Sequence, residues 1–312
     1  MAVYQDKIEP KIELEFSSLT AALRKYLSIV AELGKFRITF FVAFSTSVGF
    51  ILFNSTLNFD LLFISLGVFL LASGSSAINH IQERNLDKLM NRTINRPLPS
   101  GKIGLRSAII LSMLFLVFGF ALLGIYANLV SVLLGFIAII WYNIIYTPLK
   151  RKSALAVVPG SVIGAIPPMI GWTAAGGYVF DTQILTLALF FFIWQIPHFW
   201  LLLLLYNKDY QKAGYPTLSK LFSEIQIRRV TFIWIAALST TCMLIPVFDL
   251  SSSLIITTIL LLLGFWLVFK TRYLLKPSSQ RIQFRRAFGN INIYVLLVVL
   301  LLIIDRLVIT EF

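Results

Sequence analysis

The stretch ILTLALFFFIWQIPHFWLLLLLY, residues 184–206, runs for 23 residues without an Asp, Glu, Lys or Arg. About 20 such residues in a helix cross the hydrocarbon of a bilayer. Unpaired backbone groups cannot be left there, so a crossing segment is either a helix or a strand of a closed barrel. Barrel strands alternate polar and apolar residues, and this run shows no alternation. It reads as a membrane helix.

Runs of the same kind recur along the chain, at residues 38–55, 60–78, 106–124, 128–146, 155–174, 183–206, 230–248, 252–270 and 289–309. The 312 residues are 58% hydrophobic and 13% charged, with mean hydropathy +0.86. Soluble domains are roughly 45–50% apolar and about 25% charged. The expected fold is therefore an all-α integral membrane protein, a bundle of nine transmembrane helices. Residues 36–312 form one polytopic domain. Residues 1–35 precede it as a cytoplasmic amphipathic segment, with a surface helix over 17–34. The segment carries five acids and no early apolar core with a cleavage site, so it is neither a secretory signal nor a transit peptide.

Lys and Arg in short loops stay on the cytoplasmic side. With these spans, 26 of the 27 Lys and Arg residues fall before the first span or in alternate loops, and only Arg306 lies near the other face. The amino terminus is expected inside, in a multi-pass protein of a bacterial inner membrane. The net charge of +13 is spread through these loops and not gathered in a soluble basic domain, which argues against a nucleic-acid partner and for membrane lipid. The single cysteine, Cys242, lies in an apolar span and reads as a packing residue.

Against this background the acids stand out, because a carboxylate in or beside a span is costly. After the amino-terminal segment, the inner loops hold only Glu83, Asp87, Asp209 and Glu224. Asn79, Glu83 and Asp87 recur every four residues in NHIQERNLDKLMNRTINRPLPSGK, residues 79–102. On a helix continuing out of the second span, that spacing aligns three oxygen ligands on one face. Magnesium is held by one or two carboxylates together with phosphate oxygens. Arg84, Lys88, Arg92, Arg96 and Lys102 surround the acids, and Lys150, Arg151 and Lys152 follow the fourth span. Arg and Lys in such numbers suit a diphosphate, although the same cations also serve as topological anchors.

The segment resembles the first aspartate-rich motif, N-x-x-x-D-x-x-x-D, of the intramembrane UbiA-type prenyltransferases. Its continuation DKLMNRTINRPLPSGK is similar to the protohaem farnesyltransferase, or haem O synthase, branch. YTPLKRKS at 146–153, PPMIGW at 167–172 and IWQIPHFWLLLLLYNKDYQKAGYPTL at 193–218 resemble that branch in the same order. Glu83 replaces the more usual Asp. Asp209 is the only carboxylate of the second region, where the quinone branches carry more.

This resemblance implies transfer of the farnesyl group of farnesyl diphosphate to a vinyl group of haem b, with release of diphosphate. It implies Mg2+ held by Asn79, Glu83, Asp87 and Asp209, and Lys150, Arg151, Arg92 and Arg96 neutralising the leaving group. Haem A synthase is a candidate partner. Tyr146 and Tyr210 read either as diphosphate contacts or as interfacial aromatics. His198, after Pro197 in the sixth span, reads either as a contact to haem iron or a propionate, or as a packed residue. His80 lies off the Asn79 face and is a candidate porphyrin contact only. Pro167 and Pro168 are expected to break the fifth span. Two further readings stay open: prenylation of a quinone precursor, such as a hydroxybenzoate or naphthoate, and secondary transport. Transport would place its charges at the bilayer midplane, not at one surface.

Overall fold

In the computed structural model, residues 9–276 and 281–309 are described. Helix α1 (Glu9–Leu33) comes first. Nine helices long and apolar enough to cross a membrane follow among the described residues: α2 (Phe36–Asn54), α3 (Phe59–Asp87), α4 (Leu105–Tyr126), α5 (Leu129–Leu149), α6 (Val157–Ala174), α7 (Thr182–Leu205), α8 (Glu224–Val247), α9 (Leu254–Leu275) and α10 (Gln283–Val308). No strand occurs among the described residues. The hydropathy reading therefore holds for element number and type.

Local chemistry sets the ends. The Asn58 side chain accepts from the Leu61 amide at 2.9 Å, and Asn128 accepts from the Ser131 amide at 3.0 Å, so each caps the helix that follows. Ser223 and Gln226 form a reciprocal capping box at the start of α8. Beyond α3, Pro97, Pro99 and Gly101 (φ 74°) keep the chain in turns until α4 begins.

Two irregularities differ from the simple reading. The proline pair does not break α6, since Pro167 and Pro168 both lie within the regular helix Val162–Ala174. The interruption falls at Ser161, six residues before Pro167, between the short helix Val157–Gly160 and the helix Val162–Ala174. In α5, residues Trp141–Tyr146 form a π-helical turn that no hydropathy pattern signals.

Each span packs against the next, and α10 returns to α2, so the nine helices close a circuit. Helix α2 also crosses to α6, and α7 to α10. Positions such as Phe59 and Leu254 are each 81% exposed, whereas Ile184, Leu187, Phe190, Ile235 and Leu302 are fully buried in one cluster shared by α7, α8 and α10. A lipid-facing Leu gains nothing by moving inward, so close packing and polar ties must supply the specificity. Gly49 and Gly171 provide the closest approach: a Cβ on Gly49 would strike the Pro168 carbonyl, and one on Gly171 the Thr46 carbonyl. At the basic end, buried Arg228 donates to the Tyr273 and Leu274 carbonyls at 3.1 and 3.2 Å and to Gln283 Oε1 at 2.7 Å. This cation ties the start of α8 to the end of α9 and the start of α10.

Gly171→Leu is expected to force α2 and α6 apart and cost about 3 kcal/mol, the upper end for overpacking. Thermal unfolding in detergent measures it; an unchanged midpoint would show that the two helices are not held at backbone contact.

Candidate active site

Because α1, the segments after α3, α5 and α7 and the end of α9 alternate with the other ends of the spans, they all gather at one end of the bundle. Helix α3 overshoots its apolar stretch and carries Asn79, Glu83 and Asp87 into this end as regular helix. The four-residue spacing stacks them on one face. That face is turned inward: Asn79, Glu83 and Asp87 are 2%, 5% and 0% exposed.

Each of the three meets a partner from elsewhere in the chain. Glu83 Oε2 accepts from Lys150 Nζ at 2.8 Å, and Glu83 Oε1 accepts from the Tyr215 hydroxyl at 2.7 Å. One Arg96 guanidinium nitrogen donates to both Asp87 oxygens at 2.9 Å. Asn79 Nδ2 donates to Thr147 Oγ1 at 3.1 Å, which turns Oδ1 toward Lys35 Nζ at 3.3 Å. Buried carboxylates are tolerable only with such partners, since an unpaired charge there costs several kcal/mol.

The π-helical turn of α5 contributes directly. Thr147 Oγ1 donates to the Tyr142 carbonyl five residues back, at 2.8 Å, and so faces Asn79. Tyr142 and Tyr146 stack at 5.9 Å, and the Lys150 ammonium lies 5.5 Å from the Tyr146 ring. Asn143 locks the turn to α3: its Nδ2 donates to the Ser75 carbonyl at 3.0 Å, while Gln82 Nε2 donates to the Asn143 carbonyl at 3.0 Å. Arg151 donates to the Gln82 carbonyl at 2.8 Å. Arg92 donates to the Tyr210 hydroxyl at 3.1 Å and lies 4.7 Å over the Tyr206 ring, joining the loop after α3 to the short helix Asn207–Lys212.

The structure thus brings together Asn79, Glu83, Asp87, Arg96, Lys150, Arg151 and Tyr146, with Arg92 and Tyr210 alongside. Asp209 is half-buried and pairs with no cation among the described residues. Among the described residues, no three His, Cys, Asp or Glu side chains cluster closely enough to hold a metal by themselves. His198 stands one aromatic layer away: Tyr146 to Phe199 is 6.5 Å and Phe199 to His198 is 5.5 Å between ring centres. His80 is buried, and among the described residues neither ring nitrogen is hydrogen-bonded.

Two members escape a reading by sequence. Lys35 occupies the left-handed turn (φ 51°) before α2, where it counts as one more topological cation. Burial, with Arg96 and Lys150 nearby, pulls its ammonium down to about 7. Tyr215 follows Gly214 (φ 76°) in a turn of GYP, with nothing in its neighbours to announce a contact with Glu83. Burial and the facing carboxylate push its hydroxyl well up, so it remains a donor at neutral pH.

Residues 42–301 match the UbiA prenyltransferase family over most of the chain. The chain belongs to this family. Among its relatives in the family, the protoheme IX farnesyltransferase of Geobacter sulfurreducens is 43% identical over 188 residues, 59% of this chain and 68% of that protein. Those of Oleidesulfovibrio alaskensis and Cytophaga hutchinsonii are 33% and 37% identical, over 90% and 88% of this chain and 98% and 96% of theirs. The fold is shared with a digeranylgeranylglyceryl phosphate synthase in membranes, with TM-score 0.72, 17% identity, and 90% and 98% of the two chains covered. It is shared also with a UbiA homologue from Archaeoglobus fulgidus bound to GPP and Mg2+, with TM-score 0.60, 16% identity, and 87% and 99% covered. The chain is accordingly a multi-pass membrane prenyltransferase.

Lys150→Met strips the buried Glu83 of its cation and is expected to lower stability in detergent by about 2–3 kcal/mol, less than for a sealed pair because Lys150 is partly exposed. Tyr215→Phe removes one neutral donor and should cost about 1.5 kcal/mol. Equal thermal midpoints for the two variants would contradict this ranking.

Proposed function

We propose that the chain transfers the farnesyl group of farnesyl diphosphate to a vinyl group of protohaem IX, forming haem O and releasing diphosphate. The observation that carries this reading is the stacked Asn79, Glu83 and Asp87 face, ringed by more cations than acids, in a chain aligned nearly end to end with protoheme IX farnesyltransferases. Lys35, Arg92, Arg96, Lys150 and Arg151 leave a positive surplus over Glu83 and Asp87, which favours a multiply charged anion.

The donor set fits magnesium. Asn79 Oδ1 and the Glu83 and Asp87 carboxylates are hard oxygen donors on one buried helix face, and magnesium needs few protein ligands when phosphate oxygens complete its shell. Asn79, Glu83 and Asp87, joined by Asp209, would hold it, and it would supply charge neutralisation to the diphosphate. Lys150 and Arg96, already turned toward this face, and Arg151 and Arg92 at its rim bind the diphosphate oxygens. Their charge stabilises the leaving group as the bond from farnesyl C1 to oxygen breaks and its electron pair departs with the diphosphate. The vinyl group supplies the electron pair for the new carbon–carbon bond. Water adds to the cation left on the substrate and gives up a proton, which leaves the hydroxyl. Tyr146 and Tyr210 line the approach, and the apolar bundle keeps water from the first cation. The positive-inside bias places this end of the bundle, with α1, at the cytoplasmic face of a bacterial inner membrane. Of the segment 1–35, the described helix α1 precedes the catalytic bundle as a surface element, and haem A synthase is the enzyme fitted to receive the product.

Purified protein in detergent, given haem b, farnesyl diphosphate and Mg2+, is expected to yield a hydroxyethylfarnesyl haem by mass spectrometry. Prenylation of a hydroxybenzoate or naphthoate in place of haem would overturn the reading. Asp87→Asn is expected to abolish turnover while the protein still inserts, because the neutral amide cannot neutralise the metal. An active Asp87→Asn enzyme would remove this residue from the site.

A further inference from the structure

His198 lies on α7, and its Nδ1 is 2.8 Å from Oδ1 of Asn292 on α10. The amide's own bonding settles which atom carries the proton. Asn292 Nδ2 donates to the Phe288 carbonyl one turn back at 2.7 Å, so the amide nitrogen is committed and the oxygen faces the imidazole. An oxygen acceptor requires a donor opposite, so Nδ1 carries the hydrogen and Nε2 carries the lone pair.

Three aromatic rings enclose the imidazole: Trp194 at 4.9 Å, Phe288 at 4.7 Å and Phe199 at 5.5 Å between centres. The one donor among them, the Trp194 indole N–H, makes no hydrogen bond, and no hydrogen bond reaches Nε2 among the described residues. A histidine kept for packing alone needs neither a fixed tautomer nor an unused lone pair. A metal-ligating histidine needs both, with its second nitrogen bonded to an oriented acceptor. Through Phe199 and Tyr146 the ring also adjoins Lys150 and Glu83.

We propose that Asn292 is a positioning residue that holds His198 as the Nδ1–H tautomer, so that Nε2 ligates the iron of the haem substrate and seats the porphyrin beside the diphosphate end. The inference rests on the functional reading above. Iron ligation here is substrate binding, with no change of oxidation state. It gives α10, whose residues carry none of the charged motif, a direct part in substrate orientation.

The test uses full-length protein in detergent titrated with haem b and followed by Soret absorption, electron paramagnetic resonance and reduction midpoint potential. Wild type is expected to give a histidine-ligated signature, lost in His198→Ala and restored by added imidazole. Asn292→Asp keeps the acceptor but adds charge, strengthens the imidazole as a donor, and should move the midpoint potential to more negative values. Asn292→Leu releases the tautomer and is expected to weaken haem affinity about tenfold or more. A packing role would leave the histidine-ligated spectral signature and the haem affinity unmoved in the charge-neutral Asn292→Leu. Haem bound to His198→Ala with the wild-type signature would overturn the inference and leave the functional reading standing, as would an unchanged potential in Asn292→Asp together with unchanged affinity in Asn292→Leu. Failure of wild type to bind haem would instead overturn the functional reading and this inference with it.

Discussion

Glu83 and Asp87 are buried at the end of a membrane helix, and much of the basic end is organised around that burial. Water cannot neutralise these carboxylates, so protein cations and hydroxyls must, and each partner arrives from a different part of the chain. Lys150 comes from the end of α5, Arg96 from the turn after α3, Tyr215 from the turn after the short helix Asn207–Lys212. The paired charges thereby fix where three loops sit. A surface helix with the same acids would leave those loops to solvent and would fix none of them.

The same constraint relates stability to chemistry. A cation that neutralises a buried acid is also a cation held rigidly at low dielectric, where its field on an anionic leaving group is strongest. The site needs more positive than negative charge, and α3, α5 and the two turns supply it without a soluble domain. The π-helical turn Trp141–Tyr146 is a local cost within this arrangement: it shifts Thr147 onto Asn79 and keeps Tyr146 beside Lys150. Such turns occur often at functional sites.

Much of the site was legible because its residues sit on one helix. Asn79, Glu83 and Asp87 are spaced by a helical turn, and an acid beside a span needs a reason to be there. Arg96 and Lys150 were legible through the segments DKLMNRTINRPLPSGK and YTPLKRKS, which resemble the family. Lys35 and Tyr215 were not. The first is indistinguishable from an anchoring lysine, and the second is one tyrosine among 11. Asn292 was hidden for the same reason, as one of two amides, with Asn290, at the head of an apolar run. The proline pair misled, because it lies inside the regular helix Val162–Ala174 while the interruption falls before that helix, at Ser161.

By itself the sequence determined the number of crossings, their helical form and the crowding of charge at one end. These follow from local quantities: about 20 apolar residues per span, an internal hydrogen bond for every backbone group, and the bias of Lys and Arg toward one face. Only the tertiary structure decided which cation meets which acid and which amide holds His198. Those contacts join residues 44, 67, 94 and 132 apart, and they depend on how helices cross. Crossing is set by backbone approach, as at Gly49 and Gly171, and by polar ties between spans, since in lipid apolar surface alone does not choose one neighbour over another.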